Sequence, residues 1–146
     1  MARGAAVIGR ARQIGLAALA ASGVLVGAWA LVGPRSFYDT FPGLGHHWTA
    51  STGPYNEHFV TDVGAAYLAL TALAVLALAW GDLRSCRLAG TAWAVFSAPH
   101  FLFHARHLSG LTGFDKVAEL STLGATLVVA VWLATPRRSP GLEARR

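Results

Sequence analysis

FVTDVGAAYLALTALAVLALAW, the stretch from Phe59 to Trp80, is an apolar run interrupted by one charge, Asp62, near its start. A helix needs about 20 predominantly apolar residues to cross a ~30 Å hydrocarbon layer, so this run reads as a membrane span. Three more runs qualify, near Ile14–Val32, Leu88–His104 and Val117–Thr135. Together they take up most of a 146-residue chain. The short connections between the later runs imply antiparallel neighbours. The fold class expected is therefore all-α, an integral membrane up-down four-helix bundle. The whole chain, 1–146, would form a single transmembrane domain, with an outer loop at 34–53 and a cytoplasmic tail at 136–146. Composition agrees: 54% of residues are hydrophobic and 13% charged, against about a quarter charged in soluble domains.

The net charge of +5 does not point to nucleic acid once its distribution is read. Arg3, Arg10 and Arg12 precede the first run, Arg84 and Arg87 follow the second, and Arg137, Arg138, Arg145 and Arg146 follow the last. Nine of the twelve basic residues thus fall on one side, leaving Arg35, Arg106 and Lys116 on the other. By the positive-inside rule both termini are expected in the cytoplasm, in a multi-pass protein of the cell membrane. The single Cys86 falls in the second connection on this reading and excludes an internal disulfide. Ala28-Trp29-Ala30 offers a signal-peptide cleavage pattern behind Arg10 and Arg12. The apolar run before it is long for a signal peptide, which favours a retained span.

All six histidines, His46, His47, His58, His100, His104 and His107, fall on the side opposite the arginine clusters. Residues at alternating spacings of three and four share one helical stripe. Trp93, Ser97, His100, His104 and His107 follow that spacing, with Pro99 as a potential kink. His58 and Asp62 lead into Ala65, Ala69 and Ala72, a polar end continued by small residues, which suggests an inward packing face. Asp115, Glu119, Thr122 and Thr126 form a third stripe. If the third helix enters at Leu88, His100 lies roughly 18 Å in, and His107 is interfacial.

Ionisable groups near lipid are expensive, so their clustering on one side is a functional hint. The candidate metal ligands are His58, Asp62, His100, His104 and Glu119. Nitrogen and oxygen donors of this kind suit a divalent metal such as zinc, iron, manganese or copper. Haem with His100 or His104 as axial ligand is an alternative, disfavoured because no second span supplies a deep histidine. A bland reading stands beside both: histidines near a helix C-terminus interact favourably with its dipole. Nothing in the chain matches a nucleophile triad, a P-loop or a dinucleotide fingerprint.

The loop between the first two spans carries Phe37, Tyr38, Phe41 and Trp48 among Pro34, Pro42, Gly43 and Gly45. Four large aromatics are out of place in a solvated linker, so the loop is expected to fold over the bundle or lie in the interface. Pro54 is a candidate first residue for the second helix. Gly81 and Asp82 would end that helix, and Pro136 would stop the fourth. Gly23 and Gly27 form a G-x-x-x-G that serves intrachain packing or dimerisation equally well.

The segments Phe37-Tyr38-Asp39-Thr40-Phe41-Pro42, Gly53-Pro54-Tyr55-Asn56-Glu57-His58 and Asp62-Val63-Gly64 resemble those of small uncharacterised bacterial four-span membrane proteins. The overall plan is also similar in architecture to the DoxX-like group, whose members are associated loosely with respiratory or redox membrane complexes. The resemblance implies a four-helix membrane bundle and carries no residue roles. Two functions are then expected to compete. One is a binding or accessory subunit with a polar His/Asp/Glu cluster at the outer face, partnered by the lipid bilayer and by other membrane subunits or a second copy of itself. The other is a metal-dependent membrane enzyme, an oxidoreductase, with Glu119 as ligand or proton carrier. A transporter is less favoured, because no paired broken helices are visible.

Overall fold

The computed structural model describes residues 7–136, so Arg3, Arg137, Arg138, Arg145, Arg146 and the tail beyond Pro136 lie outside the described residues. Apart from a two-residue ladder the fold is all-α. Four long helices, α1 (Arg10–Val32), α3 (Glu57–Trp80), α4 (Leu83–Arg106) and α5 (Gly113–Ala134), are accompanied by the short α2 (Pro34–Thr40). α1, α3 and α5 are long and apolar enough to cross a membrane. The 24-residue α4 is equally long, but Arg84, Arg87, Arg106 and two histidines lower its hydropathy below theirs.

α3, α4 and α5 begin a few residues before their apolar runs, because their caps lie in polar sequence. The Asn56 side chain accepts from the Phe59 N–H at 3.2 Å, so α3 starts at Glu57 and Pro54 stays outside it. Asp82 Oδ1 accepts from the N–H groups of Arg84 and Ser85 at 2.9 and 3.0 Å, opening α4 five residues before the expected Leu88. Thr112 Oγ1 accepts from Asp115 N–H at 3.2 Å at the head of α5. Short polar side chains supply acceptors for N–H groups that a helix start leaves unpaired. At the other end of α3, Gly81 takes a left-handed φ of 66° and its N–H returns to Ala77 O. Only glycine adopts that conformation without strain. The α3–α4 connection is thereby reduced to Gly81 and Asp82. Cys86, expected in a connection, is instead fully buried in α4.

The long helices alternate in direction, and glycines set their closest approaches. A Cβ on Gly27 would meet Gly64 O at 2.9 Å, and one on Gly23 would meet Thr71 Oγ1 at 2.1 Å. The G-x-x-x-G of α1 therefore serves packing against α3. On the other side, a Cβ on Gly90 of α4 would meet Ala134 N of α5 at 2.6 Å. α1 packs chiefly on α3, and α4 chiefly on α5. Trp93 joins the two pairs: it is fully buried and its Nε1–H donates to Leu70 O at 3.0 Å.

One stripe points the other way from expectation. The packed face of α3 is Val60, Gly64, Tyr67, Leu70, Thr71, Ala74 and Ala77. His58, Asp62, Ala65, Ala69 and Ala72 are exposed on the opposite face. Small residues occur on both faces of α3, and the docking of Gly64 against Gly27 and Ala30 decides which face is buried.

Opposite the Gly81 end, the chain from Pro34 to Asn56 folds over the helix ends. α2 leads through a cis Phe41–Pro42 bond into a ladder pairing β1 (Pro42–Gly43) with β2 (His46–His47). Phe37 is buried against Ala30 and Val60, with Phe41 4.8 Å from it and Trp48 6.1 Å from Phe41. The aromatic residues thus form a second, smaller core above the helices. That is the enclosed loop its composition predicts.

Candidate functional site: a cavity walled by His100, His104 and Glu119

Beneath this aromatic cover lies a cavity of about 630 Å³. α1 contributes Ser22 and Val26, α3 Val63 and Tyr67, α4 His100, Phe103 and His104, and α5 Glu119, Thr122, Leu123 and Thr126. The covering segment adds Tyr38, Phe41, Trp48 and Tyr55. The walls are mainly apolar and aromatic, with polar groups on the α4–α5 wall and a few more from Ser22 of α1 and Thr49, Thr52 and Asn56 of the covering segment, which is the make-up of a small-molecule site. Its volume falls within the ~300–1,000 Å³ common for such sites.

The polar groups arrive on the two stripes read from the sequence. On α4, Trp93 and Ser97 are buried, His100 and His104 reach the cavity, and His107 falls beyond the helix end. His107 is exposed, stacked on Phe103 at 4.1 Å. On α5 the stripe buries Asp115 and Glu119 and continues through Thr122 and Thr126 along the wall. Pro99 lies inside α4 without interrupting it.

His104 Nδ1 sits 2.8 Å from Glu119 Oε1. The ring nitrogen is not aligned to donate a hydrogen bond, and among the described residues Glu119 Oε2 has no partner. Glu119 is 2% exposed, so this oxygen is cut off from bulk water as well. An unpaired buried acceptor is expensive, at about 1–3 kcal/mol. The His100 ring lies 4.7 Å from that of His104 and stacks on Phe96 at 5.3 Å, with Tyr67 6.3 Å away.

The five candidate ligands separate. His100, His104 and Glu119 share the cavity wall. His58 and Asp62 form a separate i,i+4 pair at 3.4 Å on the outside of α3, with side chains 77% and 61% exposed. Among the described residues no three of His, Cys, Asp and Glu gather closely enough to hold a metal ion. The reason lies in the orientation of α3: the face that meets α4 presents Tyr67, not His58 and Asp62.

The rim holds residues that sequence reasoning did not assign. Asp115 accepts from Trp48 Nε1–H at 2.9 Å and from the Thr112 hydroxyl at 2.6 Å, and pairs with His46 Nδ1 at 2.6 Å. It ties the covering segment to the start of α5. Its place on the α5 stripe was visible, but Trp48, which it holds, is 67 residues away in sequence. Arg35 lies over the Tyr55 ring at 4.9 Å and pairs with Asp39 at 2.6 Å. The hydrogen bond and charge of Asp39 hold the Arg35 guanidinium still further toward its charged form. Burial first, then the neighbouring Glu57 carboxylate, raises the Tyr55 hydroxyl above the usual tyrosine range, so it stays a neutral donor. No family model matches the chain, and neither a curated protein nor a solved structure is similar enough to it to count as a match.

Proposed function

We propose that the chain is a four-span protein of the cell membrane, both termini cytoplasmic, that binds a small lipid-soluble molecule in the cavity at its outer end. It would act as a binding or accessory subunit. The observation carrying the binding reading is the cavity itself: an apolar and aromatic chamber with a localised His104–Glu119 pair in its wall. Three apolar helices support the membrane setting. For α4 the support is its outer surface, where Leu88, Val95, Leu102 and Phe103 are exposed beside similar residues of the other helices. Apolar side chains facing outward on every long helix suit a lipid surround. The arginine distribution supports cytoplasmic termini. The metal-enzyme alternative loses its main support, since His58 and Asp62 face away from the other three candidates.

Two measurements test this. With Cys86→Ser as background, a membrane-impermeant thiol reagent added to intact cells labels Ser51→Cys and spares Ser139→Cys. The reverse pattern overturns the orientation. Thermal unfolding of the detergent-purified protein across a panel of neutral aromatic amphiphiles shows ligand-dependent stabilisation, because binding to the native state alone raises stability. Leu123→Trp, which fills the chamber, abolishes the shift. A panel with no stabilising compound overturns the binding reading.

A further inference from the structure

Resting on that reading, the polar wall identifies the class of ligand. We infer that the cavity takes a neutral amphiphile carrying an O–H or N–H donor on an aromatic or otherwise flat apolar body, with Glu119 as the acceptor that recognises the donor. Four features of the chamber lead there. Its walls include Tyr38, Phe41, Trp48, Tyr67 and Phe103, which favour a body with flat apolar faces. Glu119 is a wall residue whose buried Oε2 lacks a partner among the described residues, so a donor reaching it from the chamber would complete its hydrogen bonding. His104 already faces Oε1 of the same carboxylate, and among the described residues neither ring nitrogen of His100 has a hydrogen-bond partner. A ligand hydroxyl can therefore donate toward Glu119 and accept from an imidazole N–H within one wall.

Charge sets the exclusion. A ligand carboxylate would lie beside the buried Glu119 carboxylate, where like charges repel. A ligand with the same body and no donor leaves Oε2 as it is, so it gains only apolar contact. Sites built to hydrogen-bond a substrate hydroxyl discriminate against analogues that lack it, because the buried polar group stays unpaired.

The experiment uses the full chain in lipid nanodiscs, with calorimetric titration against empty nanodiscs as the blank. Three probes share one body: 4-octylphenol donates a hydrogen bond, 4-octylanisole cannot, and 4-octylbenzoate is an anion. The wild type is expected to bind the phenol about tenfold or more tighter than the anisole, and the benzoate most weakly. Glu119→Leu should bring phenol and anisole together. Glu119→Gln, similar in shape, keeps one acceptor oxygen, so it should retain part of that preference while losing the penalty against the benzoate. Equal binding of phenol and anisole by the wild type overturns the assignment of Glu119 while leaving the binding reading intact. So does a benzoate that binds tightest, or a phenol preference surviving in both variants. If none of the three probes binds, the binding reading itself fails.

Discussion

The two ends of the helix assembly treat buried polar groups in opposite ways. At the Gly81 end, Trp93, Leu16, Leu133 and Cys86 are fully buried in a solid core, and the buried cation there, Arg12, is held by hydrogen bonds. Arg12, expected from the sequence only as a topology signal, donates to Leu133 O at 2.8 Å and to Thr135 O at 3.0 Å and lies over the Trp132 ring. Arg87 Nε donates to Ala134 O at 3.1 Å. The C-terminus of α5, whose last carbonyls have no helical partners, is thus capped by arginines from two other helices. At the far end the core is replaced by a chamber, and Glu119 keeps an oxygen with no partner. The contrast separates polar groups that complete the fold from polar groups the fold leaves available.

Truncating each group should therefore have opposite signs. Arg12→Ala strands the carbonyls of residues 133 and 135 and is expected to lower stability by on the order of 3 kcal/mol, read from chemical or thermal unfolding in detergent. Replacing the pair whole, Glu119→Leu with His104→Leu, leaves neither group stranded and should be neutral or stabilising by about 1 kcal/mol. If the double variant destabilises as much as Arg12→Ala, the pair is structural and the contrast between the ends collapses.

The smallest effect concerns Asp82, outside both cores. Its hydrogen bonds, chiefly to the Ser85 hydroxyl and then to backbone N–H groups, hold its carboxyl below the usual value of 3.8. A depressed folded-state pKa means the cap contributes fully above that value and fades as pH falls through the lower folded one. Unfolding midpoints should drop in the acid range in the wild type. In Asp82→Asn this part of the acid dependence should vanish, and an unchanged profile would show that the cap does not couple to pH.

How much of this was legible in the sequence depends on range. Helix number and the α4 and α5 stripes are period-3.6 signals, and Trp93, His100 and His104 fell inward as read. The α3 stripe did not, because alanine on both faces gives no orientation and the decision belongs to Gly27 and Gly64, on different helices. The helix starts were displaced because capping by Asn56, Asp82 and Thr112 extends each helix beyond its apolar run. Asp115 and Arg12 were visible as residues, but their partners lie 67 and 121 positions away. Pairing of that kind follows from the fold and has no local signature.

The tie between Trp48 and Asp115 has a mechanical consequence. The α1–α3 pair and the α4–α5 pair are joined through the backbone only at Gly81 and Asp82, at one end. At the other end they are fastened across the chamber by side chains, with Asp115 of α5 holding a segment that belongs to the first pair. The molecule is built like a clothes-peg, with a short covalent hinge and a non-covalent clasp. Any separation of the two arms about that hinge is greatest at the clasp, so the contacts of Asp115 are strained first, while Trp93 and Arg12 hold the arms together nearer the hinge.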